Sequence, residues 1–190
     1  RQTLLFSATL DETILPISKK LQHDPCEIRV ESPVQETHPV EQHLYYVDNL
    51  VHKKLILEHL LSTTQINQTI IFTSTIRQAD ELSDQLRELG YHSASLHGDM
   101  SQRQRTRTIE KVRKGLIRIL VATDVAARGI DISTLSHVFN FDLPFQIENY
   151  LHRIGRTGRA GAKGLAISFI SPREEQLLHK IKKHTGLPIE

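Results

Sequence analysis

Apolar residues along this chain fall into two alternating rhythms. Short apolar runs recur at Thr69–Thr73 (TIIFT, rich in β-branched residues), Arg118–Ala122 (RILVA) and His137–Phe141 (HVFNF). Their length and composition predict strands buried on both faces. Gln42–Val47, His92–Leu96 and Leu165–Ile170 read as further strands. Helical spacing fills the gaps between them. Leu50–Leu61 places Leu50, Leu57, Leu60 and Leu61 on one face, and Thr75–Leu89 carries a stripe of Ile76, Ala79, Leu82, Leu86 and Leu89 that Gly90 closes. Ser101 and Gln104 form an S-x-x-Q capping box for a helix reaching about Lys114, with Ile109 and Val112 on its core stripe. Gln146–Arg153 and Arg173–Thr185 are also helical in pattern. Strands alternating with helices predict an α/β fold, a parallel sheet covered by helices on both faces.

The first forty residues break this rhythm. Residues 1–10 read as the tail end of a preceding unit, and residues 11–41 as a helix (Asp11–Leu21) followed by a polar linker holding Pro33 and Pro39. The domain proper is expected over residues 42–190. Its longest apolar runs are strand-length, which predicts no membrane-spanning helix and no membrane partner. The lone Cys26 excludes an internal disulfide and any CxxC metal site, favouring a reducing, cytoplasmic setting. Eleven histidines lie scattered without ligand spacing, so no metal is assigned.

Charge changes the picture more than composition does. Residues 1–100 hold 8 Lys/Arg against 14 Asp/Glu, whereas residues 101–190 hold 16 against 8. Ser101–Arg118 alone carries seven cations and one acid, Glu110. A polyanion facing the second half follows from that asymmetry. Solvated basic helices are nevertheless common, so the inference needs the motifs.

Four polar clusters fall where strands end, the edge at which open α/β sheets bind ligands. They are Thr73–Thr75, His97–Asp99, Thr123–Asp131 and the segment YLHRIGRTGRAG at Tyr150–Gly161. In the last of these, Arg153, Arg156 and Arg159 recur every third residue between Gly155, Gly158 and Gly161. A helix ending near Gly155 and then a turn would gather guanidiniums suited to phosphoryl oxygens. A solvated basic turn is the plainer alternative. Gln102 and Arg105 share a face at a helix N-terminus, where backbone N–H groups also favour phosphate. Pairing of Arg105 with Asp99 is the structural alternative. No G-x-x-x-x-G-K-[ST] loop occurs and no acidic run after a strand offers a magnesium ligand, so the chain by itself is expected not to hydrolyse a nucleotide.

These residues resemble the C-terminal RecA-like domain of a DEAD-box ATP-dependent RNA helicase of superfamily 2, bacterial type. Ser7-Ala8-Thr9 resembles the SAT motif that closes the first RecA-like domain and couples hydrolysis to unwinding. IIFTST resembles motif IV, and HGDMSQRQR the H-G-D-x-x-Q-x-x-R element. ATDVAARGID and HRIGRTGR match motifs V and VI. Val112 stands where the family usually has Phe, a difference of packing.

The resemblance implies that Arg156 and Arg159 are catalytic arginine fingers on the γ-phosphate of ATP. That ATP, with Mg²⁺, would be held by an N-terminal RecA-like domain. Gly129, Asp131, His152 and Arg153 would serve the nucleotide side, with His152 and Arg153 tying motif VI to its neighbours. Thr75, Arg77, Gly98, Gln102, Arg105, Thr123 and Asp124 would line RNA through its backbone, with little sequence preference. Ser7 and Thr9 would carry coupling. Further implied are RNA duplex unwinding or RNP remodelling and, from the opening RQTLLFSATL and the HVFNFDLP stretch, ribosomal precursor particles as partners. Two rivals stand beside this reading: a non-catalytic RNA-binding or protein-docking module on the same fold, and a DNA helicase of the same superfamily.

Overall fold

The computed structural model describes residues 3–6, 14–28, 40–64, 66–127, 130, 135–158 and 164–185. Packing divides the chain into two units, Arg1–Gln35 and Glu36–Glu190. In the first, helix α1 spans Ile14–Leu21, and Gln22 just beyond it donates from Nε2 to the carbonyl of Thr3 at 3.2 Å.

The second unit is a six-stranded, wholly parallel sheet. Its strands are β1 (Glu41–Tyr46), β2 (Thr69–Phe72), β3 (Ser93–Leu96), β4 (Ile119–Ala122), β5 (His137–Asn140) and β6 (Leu165–Ile170), in the order β1-β6-β5-β2-β4-β3. β2, β4 and β5 are buried at every position, as expected of a parallel sheet covered on both faces. Alternation of side chains along each strand feeds two cores. Ile70, Phe72, Leu120 and Ala122 join one, and Ile71, Ile119 and Val121 join the other.

Helices α2 (Leu50–Thr63) and α3 (Ile76–Glu88) close the second core, through Leu57, Leu60 and Leu61 and through Ala79, Leu82 and Leu86. The opposite core takes Val112 of α4 (Gln102–Arg113), Ala126 and Ala127 of α5 (Asp124–Ala127), Tyr150 and Ile154 of α6 (Ile147–Ile154), and Leu178 and Ile181 of α7 (Glu175–Thr185). The RecA-like α/β architecture is thus present as expected.

Local chemistry places the helix ends. Ser101 Oγ accepts from Gln104 N while Gln104 Oε1 accepts from Ser101 N at 2.9 Å, which closes the expected capping box. Gly90 beyond α3 has φ 88°, the left-handed conformation that glycine adopts without steric cost. Two stripe residues depart from expectation. Leu50, the first residue of α2, and Leu89, the C-cap of α3, lie half exposed, and the buried stripe of α2 instead includes Lys53. The four-residue helix α5 was not anticipated in the TDVAARGID stretch. Its apolar content, two alanines and one valine, is too slight to show a period.

Candidate nucleotide and RNA site at the carboxyl edge of the sheet

Because β2, β4 and β3 are neighbours in the sheet, the loops that follow them form one continuous edge. Backbone bonds lock their register: Thr73 N donates to Ala122 O at 3.0 Å, and Thr123 N to Leu96 O at 3.2 Å. That edge brings together Thr75 and Arg77 after β2, Thr123 and Asp124 after β4, and Gly98, Gln102 and Arg105 after β3. Thr75 is the N-cap of α3, with Oγ1 accepting from Gln78 N at 3.2 Å. The Arg77 side chain is 87% exposed and donates from Nε to Glu81 Oε1 at 2.6 Å, a contact that raises its pKa further. Gly98 and Gln102 are exposed. Arg105 is half-buried, and its Nη2 donates to the carbonyl of Ala126 at 2.7 Å, fastening the start of α4 to α5.

The arginine segment sends its members to different places. Helix α6 ends at Ile154 with Gly155 as C-cap, and Gly158 follows at φ 71°. Arg153, in the last turn, points into the lobe and is only 2% exposed. Its Nε and Nη2 donate to Asp124 Oδ1 and Oδ2 at 2.6 and 2.8 Å, the bidentate fork that suits a carboxylate. Nη1 donates to Asn140 Oδ1 at 3.1 Å and to the Asp142 carbonyl at 2.6 Å, and the guanidinium stacks 4.7 Å above the ring centre of Phe72. Expected on the nucleotide side and as a tie between motif VI and its neighbours, Arg153 spends its donors inside the lobe, and they occupy the carboxylate oxygens of Asp124, which was expected to line RNA. His152 is exposed, and its carbonyl accepts from Arg156 Nε at 3.1 Å. Arg156 also donates from Nη1 to the carbonyl of Ile130 at 2.9 Å. Two backbone carbonyls thus hold this half-buried side chain at the end of α6. Arg159, Gly129, Asp131, Ser7 and Thr9 lie outside the described residues.

The turn after α6 is packed tightly. Thr157 Oγ1 lies within reach of the carbonyls of Leu135 and Ser136, at 2.8 and 2.9 Å. A Cβ on Gly164 would come within 2.5 Å of Gly158 N and 2.8 Å of the Thr157 side chain, so glycine is the residue that fits.

Sequence reasoning missed the groups beneath this edge. Asn140 is fully buried, and its Nδ2 donates to Ser168 Oγ at 2.9 Å while its oxygen accepts from Arg153. Asp142 receives Ser74 N on Oδ2 at 2.9 Å and Lys53 Nζ on Oδ1 at 3.0 Å. A signal was present in α2, where Lys53 occupies a stripe position among leucines. A cation there requires a buried counter-ion.

The fold and this edge have counterparts among known proteins. The helicase conserved C-terminal domain family matches residues 52–161. The ATP-dependent RNA helicase SrmB of Haemophilus influenzae is 46% identical over 186 residues, covering 97% of this chain and 42% of its own length. The chain thus spans less than half of such curated relatives. The crystal structure of the E. coli DEAD-box protein SrmB bound to the regulator of ribonuclease activity A is 45% identical and superposes with a TM-score of 0.75, covering 79% of this chain and 88% of that one. Dbp5 of S. cerevisiae, bound to RNA and ADP BeF3, is 34% identical with a TM-score of 0.81 over 97% of this chain and 49% of its own. With its motifs, its all-parallel sheet and these matches in agreement, the chain belongs to the helicase conserved C-terminal domain family, as the C-terminal RecA-like domain of a DEAD-box RNA helicase of bacterial type.

Proposed function

We propose that this domain acts as the arginine-bearing lobe of a two-lobe, ATP-dependent RNA helicase. ATP and Mg²⁺ are held by an N-terminal RecA-like lobe. Closure of the two lobes brings Arg156 and Arg159 against the γ-phosphate, where an arginine finger is worth about 10³–10⁵ in rate. His152, exposed beside Arg156, and the segment with Gly129 and Asp131 face the nucleotide. The edge formed by Thr75, Arg77, Gly98, Gln102, Arg105 and Thr123 grips RNA phosphates and sugars. Such contacts carry little sequence preference and weaken steeply with salt. Ser7 and Thr9 serve coupling at the junction with the first lobe, and the work done is duplex unwinding or RNP remodelling in the cytoplasm, on ribosomal precursor particles.

The observation that carries this reading is the Arg153–Asp124 fork. It joins the helix that presents Arg156 to the helix that begins at the RNA-facing end of β4. Charge arriving at one end therefore acts on a rigid path to the other. In a two-lobe protein carrying this chain, Arg156→Ala and Arg159→Ala should each abolish RNA-stimulated turnover while sparing ATP binding. Wild-type turnover in both variants removes the finger role. Stimulation by DNA oligomers as strong as by RNA would favour the DNA-helicase rival.

A further inference from the structure

One residue beneath the edge touches both halves of the proposed machinery. The Asp142 carboxylate accepts Ser74 N at 2.9 Å, and Ser74 directly precedes the RNA-facing Thr75. Its backbone carbonyl accepts Arg153 Nη1 at 2.6 Å, and Arg153 lies three residues before Arg156. Carboxylate and carbonyl belong to the same residue, so a displacement of the Asp142 backbone moves both contacts together.

The backbone of Asp142 is anchored by its N–H to Phe72 O at 3.2 Å, and its carboxylate is held by Lys53, which lies outside every motif of the sequence. The Lys53 side chain is 8% exposed, with Nζ 3.0 Å from Asp142 Oδ1, 3.9 Å from Glu174 Oε2 and 5.1 Å above the ring centre of Phe141. Glu174 is itself immobilised, accepting Leu143 N on Oε1 and Ser171 N on Oε2, each at 3.0 Å. A buried ion pair is a poor device for stability, because desolvation offsets most of the attraction. It is an effective device for geometry.

We infer that Lys53 is a positioning residue for the coupling of RNA binding to nucleotide turnover: by pinning Asp142 it sets the Ser74–Thr75 turn and the Arg153 guanidinium in one step. The inference rests on the function proposed above. The test uses a two-lobe protein carrying this chain and the combined variant Lys53→Met with Asp142→Leu, which removes both members of the pair while Glu174 keeps its bonds from Leu143 N and Ser171 N. The ratio of RNA-stimulated to RNA-free turnover should fall about tenfold, within the range by which such networks tune coupling. RNA-free turnover, the KM for ATP and the thermal midpoint should stay close to wild type.

A wild-type ratio in the combined variant overturns the role, as does an equal fall in both turnovers. If the combined variant fails to fold, Asp142→Asn decides. It keeps an acceptor for Ser74 but discharges the pair, and should lower the ratio about threefold. An unchanged ratio there overturns the inference. A wild-type protein that RNA does not stimulate would overturn the proposed function and this role together, whereas a stimulated wild type with a normal ratio in the variants overturns this role alone.

Discussion

Two guanidiniums in this lobe, Arg153 and Arg77, belong to regions with opposite logic. Around Arg153 the contacts with the described residues are all internal: a bidentate carboxylate, an amide oxygen, a backbone carbonyl and an aromatic face. Around Arg77, on the rim above, the side chain stands in solvent and leans on Glu81 one helical turn away. Charge buried under the strand ends fixes geometry, while charge on the rim is placed where a polyanion can reach it. Both carry the same chemistry. Burial assigns the role.

The comparison breaks most easily at its buried end. Arg153→Met would leave Asp124 without its fork and should cost about 3–5 kcal/mol, a large share of a domain's stability. Chemical denaturation measures it, and a loss near zero would mean that the interior network does not hold the edge. Gly164→Ala drives a methyl group against Gly158 N and Thr157 and should cost about 1–3 kcal/mol by overpacking. In the two-lobe protein the same change should lower turnover by displacing the turn that follows Arg156.

A gentler test of the interior uses pH. His137 is buried beside Phe139, and burial lowers its pKa below the usual 6.5. The unfolded chain then binds the proton more readily, so this contribution is full above about pH 6.5 and is lost as pH falls toward the folded value. Denaturation midpoints should drop across that window, and His137→Phe should flatten the drop. The smallest effect on stability belongs to the rim. Arg77→Ala should leave the thermal midpoint unchanged, because an exposed i,i+4 pair adds little. It should nonetheless weaken RNA binding and reduce its dependence on salt. A shifted midpoint with unaltered RNA affinity would reverse the assignment of the two regions.

Much of this architecture was legible in the order of residues, because it depends on local rules. The β-branched runs TIIF and ILVA have no exposed face to serve, so they become central strands. Ser101 with Gln104, and Gly90 after α3, mark helix ends through bonds and dihedrals that involve only near neighbours. The motif residues after β2, β3 and β4 were likewise readable as an edge, since ligand position follows from sheet topology. The destination of each charged side chain was not readable. Arg153 and Arg156 are equivalent in the sequence, and only the packing of α6 against β5 and α5 sends one inward to Asp124 and holds the other at the helix end. Lys53 and Asp142 are 89 positions apart and meet solely because α2 crosses beside the end of β5. Hydrophobic rhythm and capping act over a few residues and are written in the chain; the pairing of distant charges is decided by the folded geometry that brings them within a hydrogen bond of each other.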